Sequence, residues 1–227
     1  MAADSSHSRL VLRARLVKIF AWAFIAVTML EVVLAGYLVF RPREIVVTAP
    51  GKDPGTPPEV IASAISGIAL IVLVLVMLAL MVFSLVWIYR AHVSLRERGI
   101  ELTYSPGWAV ASYFVPLVNL VVPFRAMREL YNRSHGEIDE LAHSAVDDVF
   151  AWWTAYLIGL SLWMVLIFKT LFDVLTNIVF LTPAWAEFAI WTLAALLLAL
   201  SCYLLARLVG VITDAQAGEG HVASTFA

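Results

Sequence analysis

The residue with the clearest chemical potential is an ionisable side chain inside a strongly apolar segment. Glu31 lies within an apolar run that extends from Val17 to Phe40. A charged residue in a membrane span costs about 2.5–3.5 kcal/mol to insert, and such residues often mark proton or ion pathways. The alternative is a structural hydrogen bond to a serine or threonine on a neighbouring helix. We favour the structural role and keep Glu31 as a candidate membrane-embedded site.

A second ionisable pair follows another apolar run. Lys169 and Asp173 are four residues apart, so their side chains share one face of a helix. One interpretation is a gating or substrate-binding pair. We favour the other interpretation, in which Lys169 extends to the membrane surface and Asp173 is its local partner.

A third ionisable group follows Ser134, where a Ser-x-x-Glu capping box predicts that a helix begins. Asp139, His143 and Asp147 recur every four residues and would share one stripe of that helix. Carboxylate-bridged metal bundles use Glu-x-x-His spacing in two copies, whereas this segment has one copy. We therefore expect a solvated acidic face, with these three residues as weak metal candidates only. The sequence has no phosphate-binding loop, zinc signature or nucleophile motif, so we expect no cofactor and no enzyme activity.

The composition shows which solvent surrounds these groups. Of the 227 residues, 62% are hydrophobic and 14% are charged, and the mean hydropathy is +0.90. Soluble domains carry about 25% charged residues, so lipid must cover part of this surface. The net charge of −2 argues against a nucleic-acid partner, which selects for a basic surface.

Four apolar runs are long enough to cross a bilayer, which requires about 20 helical residues. They comprise residues 17–40, 60–89, 149–168 and 188–208. Eleven of the 15 Lys and Arg residues lie before or at the start of the first run, between the second and third runs, or at the end of the fourth run. Because such residues accumulate on the cytoplasmic side, both termini and the central segment are predicted inside. The predicted fold class is therefore an all-α integral membrane protein with about four transmembrane helices, N-in and C-in. Residues 1–214 form one membrane-embedded domain, and residues 215–227 form a disordered tail.

After the second run, residues 90–103 are polar and predict a helix that leaves the membrane and stops near Gly99. The central segment Tyr104–Phe124 that follows is apolar but is interrupted by Pro106, Pro116 and Pro123. A fifth span here would place the following arginines outside, against the charge rule. We favour a re-entrant or interfacial helical hairpin, broken at Pro116, on the cytoplasmic side. Broken helices can present backbone groups to a ligand, and Asn119 could bind the freed carbonyls. The favoured alternative is a structural turn that seats the hairpin against the inner leaflet.

The segment around this hairpin resembles a known family. It contains the strings Trp87-Ile-Tyr-Arg90, Tyr104-Ser-Pro-Gly-Trp-Ala-Val110, Phe114-Val-Pro116-Leu-Val-Asn119 and Pro123-Phe-Arg-Ala-Met-Arg. These strings resemble the bacterial multi-pass membrane family called domain of unknown function 4328. The resemblance implies a bacterial inner-membrane protein and no established activity. Its motif supplies a set of candidate interaction residues: Arg90, Tyr104, Ser105, Pro106, Gly107, Trp108, Pro116, Asn119 and Pro123.

Two functions follow from these features. The first is a non-enzymatic scaffold, accessory subunit or sensor that acts through the cytoplasmic segment rich in proline and aromatic residues. Its partners would be the lipid bilayer and a membrane or cytoplasmic protein, and a homo-oligomer is left open. The second is a small transporter or channel component that uses Glu31. An enzyme acting on lipid ranks third, because it would need polar side chains that converge at one membrane depth.

Overall fold

The structure is a computed structural model that describes residues 2–41, 56–137, 146–176, 178 and 180–225, with only the backbone at 2–8, 146 and 219–225. In this part of the chain every regular element is a helix. The α-helices are α1 (Ala2–Phe40), α2 (Pro58–Glu97), α3 (Pro106–Ala111), α4 (Val122–Ser134), α5 (Val146–Thr176) and α6 (Ala184–Thr225). Two short 3-10 turns, Ser112–Phe114 and Val118–Leu120, lie between α3 and α4.

Four of these helices, α1, α2, α5 and α6, are long and apolar enough to cross a membrane. The predicted fold class, an all-α membrane protein with four spans, is therefore confirmed. The helices extend beyond the predicted apolar runs. The 40 residues of α2 correspond to about 60 Å at 1.5 Å per residue, which exceeds the bilayer thickness. Which side of the membrane each end faces stays a prediction.

The four long helices pack as a row. α1 packs against α2 on one side and α6 on the other, and α6 packs in turn against α5. The order across the row is therefore α2, α1, α6, α5. In the apolar stretch of α6, 56% of the residues are buried inside the protein, whereas only 6% are buried in that of α5. This difference follows from the row, because α6 has a long neighbour on both sides and α5 has one.

The hydrophobic core lies at one end of the row, which we call the hairpin end. It comprises the beginning of α1, the end of α2, the beginning of α5 and the end of α6, together with α3 and α4. The largest fully buried apolar side chains are all found there: Trp87, Leu95, Met127, Leu130, Leu208 and Ile212. At the opposite end the apolar side chains of α2 and α5, such as Ile68 and Val174, are exposed. Lipid is the solvent that suits such a surface.

The end of α2 confirms a helix stop that the sequence predicts near Gly99. Gly99 has φ 79°, in the left-handed region that glycine adopts without steric cost. Its N–H donates to the carbonyl of Arg96 at 3.0 Å, and the N–H of Ile100 donates to the carbonyl of Leu95 at 3.1 Å. These two bonds form a Schellman motif, the usual satisfied end of a helix.

The helix predicted to begin at Ser134 is wrong, because α4 ends there. The same Schellman pattern explains the difference. Gly136 has φ 71°, its N–H donates to the carbonyl of Arg133 at 3.3 Å, and Glu137 N–H donates to that of Asn132 at 3.0 Å. The hydroxyl of Ser134 donates backwards to the carbonyl of Leu130 at 2.7 Å instead of capping a new helix.

α6 continues without a break through residues 215–225, a segment for which the composition predicts a disordered tail. Gln216 is fully buried against α2 and α4. The small polar composition of this segment suggested disorder, but a helix that extends past the membrane can pack against other helices there.

Candidate functional site

The segment Tyr104–Phe124 forms the first part of a helical hairpin. α3 has six residues, which is far shorter than a membrane span. The chain reverses through the two 3-10 turns and returns as α4. Because α4 extends to Ser134, we define the broken hairpin as residues 104–134. Its depth relative to the membrane stays a prediction.

The start of α3 follows directly from the string Ser-Pro-Gly-Trp. Ser105 is the N-cap, and its hydroxyl oxygen accepts a hydrogen bond from the backbone N–H of Trp108 at 3.2 Å. Pro106 occupies the first turn, where its missing N–H costs nothing. Pro106 is buried, whereas Gly107 and Trp108 are exposed. The motif therefore sets the direction of α3 and leaves an indole on its outer surface.

A carboxylate from α4 holds this start in place. Glu129 accepts hydrogen bonds from the backbone N–H groups of Thr103 at 2.5 Å and Tyr104 at 3.2 Å. Its side chain is 3% exposed. The two bonds join the two arms of the broken hairpin. Sequence reasoning missed this role, although an acidic residue beside the apolar Ala126 and Leu130 on α4 was a signal for it.

The tip of the broken hairpin comprises residues 112–120, which include the two 3-10 turns, and it has a strained backbone turn. Leu117 has φ 65° and ψ −43°, and the N–H of Val118 donates to the carbonyl of Pro116 at 2.8 Å. This is a γ-turn of the rare form, which is disfavoured for a residue with a side chain. Leu117 is 79% exposed, and its neighbours Phe114 and Leu120 are exposed as well. The strained backbone therefore directs apolar side chains outward.

The tip is fixed to α5 by aromatic residues. The indole N–H of Trp153 donates to the carbonyl of Leu120 at 2.9 Å, and Tyr113 packs edge-on against Trp153 at 6.2 Å between ring centroids. Tyr156 stacks on Trp153 from one turn further along α5. Burial raises the pKa of the Tyr113 phenol, and Tyr156 adds to the shift. Trp153 and Tyr156 follow Asp148 by about 8–12 Å along the helix, so the tip lies beside the apolar part of α5.

The remaining motif residues have distinct surroundings. Pro123 is buried in the first turn of α4. The backbone N–H of Asn119 donates to the carbonyl of Val115 at 2.9 Å. The side-chain oxygen of Asn119 is buried and has no hydrogen-bond partner among the described residues. The unpaired oxygen does not test the predicted bond to a freed carbonyl, because the amide nitrogen would donate that bond. That bond stays a prediction, although the backbone of Asn119 does close the turn.

Buried polar side chains also join α4, the second arm of the broken hairpin, to α2 and α6. The amide of Gln216 donates to the hydroxyl of Ser134 at 2.9 Å and to the carbonyl of Ala91 at 3.4 Å. The indole N–H of Trp87 donates to the hydroxyl of Thr213 at 3.1 Å. We call Trp87, Ser134, Thr213 and Gln216 the buried polar cluster. Sequence reasoning missed it, because its contacts lie between residues that are distant in the chain.

Arg90 lies near the place where α2 meets α3. Its guanidinium lies 5.9 Å from the ring centroid of Tyr89. Tyr89 also lines an open cleft of about 470 Å³, together with Arg96, Glu97 and the Ser105–Gly107 turn. The structure therefore brings three of the motif residues, Ser105, Pro106 and Gly107, against the face of α2 that carries Tyr89 and Arg96.

Glu31 lies at the opposite end of the row, between α1 and α2. Its Oε2 accepts a hydrogen bond from the hydroxyl of Ser66 at 2.8 Å, and the residue is 5% exposed. Within the described chain, Oε1 of Glu31 and the hydroxyl of the neighbouring Thr28 have no hydrogen-bond partner. The structural role predicted for Glu31, a bond to serine on a neighbouring helix, thus has a partner in Ser66.

Lys169 forms ion pairs with Asp173 at 2.8 Å and with Glu187 at 2.9 Å. Asp173 also accepts a hydrogen bond from the backbone N–H of Phe180 at 3.1 Å. These contacts join the end of α5 to the beginning of α6. Lys169 is therefore paired locally and not with Glu31, and Glu187 is a partner that sequence reasoning missed.

Most of the weak metal candidates lie outside the residues that the structure describes. Asp139 and His143 lie outside those residues, and Asp147 lies in the first turn of α5. Within the ranges that the structure describes, no three His, Cys, Asp or Glu side chains are grouped so that they could hold a metal ion.

Four long apolar helices and a broken hairpin at one end define a multi-pass helical membrane protein. The family model of the domain of unknown function DUF4328 matches residues 59–214, which is more than half of the chain. The protein belongs to this family. The match runs from the start of α2 to Asp214 in α6, and it includes the whole broken hairpin and three of the four residues of the buried polar cluster. No match was found among curated proteins or among solved structures.

Proposed function

We propose that this protein is a non-enzymatic membrane scaffold, accessory subunit or sensor that acts through the tip of its broken hairpin. The observation that carries the proposal is the contrast between fixed polar anchors and an exposed apolar tip. Glu129 and Trp153 hold the two arms in place, while Phe114, Leu117 and Leu120 project outward. The partner would be a protein within or beside the membrane.

The energetics of binding support this proposal. A partner that contacts a preorganised surface loses little free energy in ordering it. Exposed apolar patches commonly mark interaction sites, and a backbone held in a disfavoured conformation often occurs where function requires it. Leu117 combines both features. The side chains of Glu129, Trp153 and Gln216, in contrast, are engaged in bonds between elements, which suits a structural role for these three residues better than catalysis.

A photo-cross-linking experiment tests the proposal. A photoreactive amino acid replaces Leu117 in the full chain, and the matched control replaces Val174, an exposed apolar residue of α5 at the other end of the row. We expect a discrete protein adduct from position 117 in native membranes and only lipid adducts from position 174. Lipid adducts alone from both positions would contradict the scaffold proposal, because the tip would then behave like the rest of the lipid-facing surface.

The orientation of the chain is part of the same proposal. The distribution of Lys and Arg supports an inside location for both termini and the broken hairpin, and the family resemblance implies a bacterial inner membrane. Single cysteines in a Cys202→Ala background test it, with Thr56→Cys before α2 and Glu101→Cys after it. A membrane-impermeant maleimide should label position 56 in intact cells and position 101 only after permeabilisation. The reverse pattern would place the broken hairpin outside.

A small transporter or channel component is the second candidate function. The observation that favours it is the unpaired oxygen of Glu31 beside the unpaired hydroxyl of Thr28, both inside an apolar span. A water-soluble carbodiimide applied to the reconstituted protein reports whether water reaches this carboxyl group, with Glu31→Gln as the control. Labelling specific to Glu31 would support a water-filled path. Lack of labelling, when a lipid-soluble carbodiimide does react, would indicate a dry structural contact.

A further inference from the structure

Two arginines face each other where α1 and α2 leave the membrane at the hairpin end. The register of the two antiparallel helices is given by Phe20 and Phe83, whose rings stack with centroids 5.1 Å apart. Arg13 precedes Phe20 by seven residues, and Arg90 follows Phe83 by seven residues. Seven residues are close to two helical turns. Arg13 and Arg90 therefore lie opposite each other on the same face of the helix pair as the stacked rings.

A third arginine joins this pair. Arg9 lies one turn before Arg13 on α1, and the like charges of Arg9 and Arg90 both act on the guanidinium of Arg13. Three positive charges on neighbouring helix turns repel one another, and an anion bound among them would offset this repulsion. Among the side chains that the structure describes, these three form no ion pair, whereas Arg41 pairs with Glu59 and Arg207 with Asp148. We call Arg9, Arg13 and Arg90 the arginine cluster.

The surroundings of the arginine cluster are apolar and exposed. Leu12 directly precedes Arg13, Val86 lies about one turn before Arg90, and both apolar side chains are exposed. The stacked Phe20 and Phe83 are only partly buried and lie about 10 Å further along the line where α1 packs against α2, which we call the α1–α2 groove. A row of guanidinium groups above an apolar groove matches the two parts of a phospholipid, because the phosphate and the acyl chain require these environments in this order.

We propose that the arginine cluster binds the phosphate headgroup of an anionic phospholipid, whose acyl chain lies in the α1–α2 groove over Phe20 and Phe83. Guanidinium groups bind phosphate through paired N–H donors, and basic sites between membrane helices recognise anionic headgroups in this way. A soluble phosphate shares the headgroup chemistry but gains nothing from the apolar groove. This site is separate from the tip of the broken hairpin, and it does not depend on which leaflet surrounds it.

Native mass spectrometry of the detergent-purified full chain tests the proposal, with phosphatidylglycerol, phosphatidylcholine and inorganic phosphate as separate probes. Phosphatidylglycerol should bind more tightly than the other two probes. The variant Arg13→Gln/Arg90→Gln should weaken its binding by about thirty-fold, since two arginines near a membrane surface contribute about 1 kcal/mol each. The matched control is Arg15→Gln/Arg125→Gln, which removes the same charge from exposed positions at the same end of the row and should leave the affinity unchanged.

Three outcomes would overturn the proposal. Equal weakening in both double variants would indicate diffuse attraction and not a site. Equal binding of phosphatidylglycerol and phosphatidylcholine would show that the charge of the headgroup is not recognised. Inorganic phosphate binding as tightly as phosphatidylglycerol would identify a soluble anion as the ligand.

A measurement on the unchanged protein keeps the proposal testable if the double variant fails to fold. Phenylglyoxal, which modifies arginine, is applied to the protein in vesicles of phosphatidylglycerol or of phosphatidylcholine. We expect the phosphatidylglycerol vesicles to protect Arg13 and Arg90 more than Arg15 and Arg125. Equal protection of all four residues would contradict the proposed site.

Discussion

The bonds of Glu129 give the sharpest test of how the broken hairpin is held. In Glu129→Gln the side chain keeps its shape, but one oxygen becomes an amide that cannot accept a bond from a backbone N–H. Hydrogen bonds to a charged group contribute about 1.5–3 kcal/mol each. The bond to Thr103 is short at 2.5 Å and the bond to Tyr104 is longer at 3.2 Å. Because Thr103 is exposed to solvent, we use the lower part of this energy range. We therefore expect the free energy that holds this segment closed to fall by about 2 kcal/mol.

This loss should appear as local opening of the segment that Glu129 holds. About 2 kcal/mol corresponds to about a thirty-fold change in an opening equilibrium. Hydrogen–deuterium exchange with mass spectrometry should therefore show about thirty-fold faster exchange in peptides covering residues 102–112, with no change in α1. The control is Glu101→Gln, an equal loss of charge at an exposed neighbouring position. Unchanged exchange in Glu129→Gln, or an equal change in Glu101→Gln, would refute this account of the site.

Further predictions concern the packing of the long helices. In Gly159→Ala the new methyl group would lie 3.0 Å from Leu198, so the free energy of unfolding should fall by about 1–3 kcal/mol. In Gly67→Ala the methyl group meets open space and should stabilise α2 by about 0.5–1 kcal/mol. Gln216→Ala removes a buried bond between α6 and α4 and should cost about 1–3 kcal/mol in a denaturant titration. Because burial raises the pKa of Tyr113, stability should fall as the pH rises through about 10, the unfolded-state pKa, and Tyr113→Phe should reduce that fall.

Each of these predictions has a contrary result. Equal effects of the two glycine variants would mean that close approach of α5 and α6 does not matter. A neutral Gln216→Ala would show that the end of α6 is held by other contacts. An alkaline loss of stability that is the same in Tyr113→Phe would assign that loss to other tyrosines.

The sequence was sufficient for the four spans, because the length of an apolar run directly reflects the thickness of a bilayer. It was less reliable where two local signals competed. At Ser134 a capping box predicts a helix start, but Gly136 two residues later supplies the left-handed residue of a Schellman motif. The helix end prevails over the helix start in the structure, because the Schellman motif satisfies two backbone carbonyls of α4 at once. At Gly99 no competing signal was present, and the predicted stop was correct.

For the candidate site, the sequence could identify motifs that act locally and not those that act across the fold. The Ser105-Pro106 start of α3 is readable because a capping serine and its partner are three residues apart. Glu129 bonds to a backbone 25 and 26 residues earlier, and Gln216 bonds to Ser134 across 82 residues. Such pairs depend on how α4 and α6 pack. The small polar residues around Gln216 carry no sign of that packing.

The scaffold and transporter proposals place function at opposite ends of the row, and a double variant can distinguish them. Glu129 lies close to His92 on α2, whereas Glu31 bonds to Ser66 on the same helix. His92 and Ser66 are 26 residues apart, which is about 39 Å along α2. Sites so distant, without shared partners, should have additive effects to within about 0.5 kcal/mol. The free energies of unfolding of Glu31→Gln, Glu129→Gln and the double variant test this. Additivity would support a fixed hairpin end that works independently of Glu31. A coupling above about 1 kcal/mol would mean that the two ends respond together, as alternating access in a transporter requires.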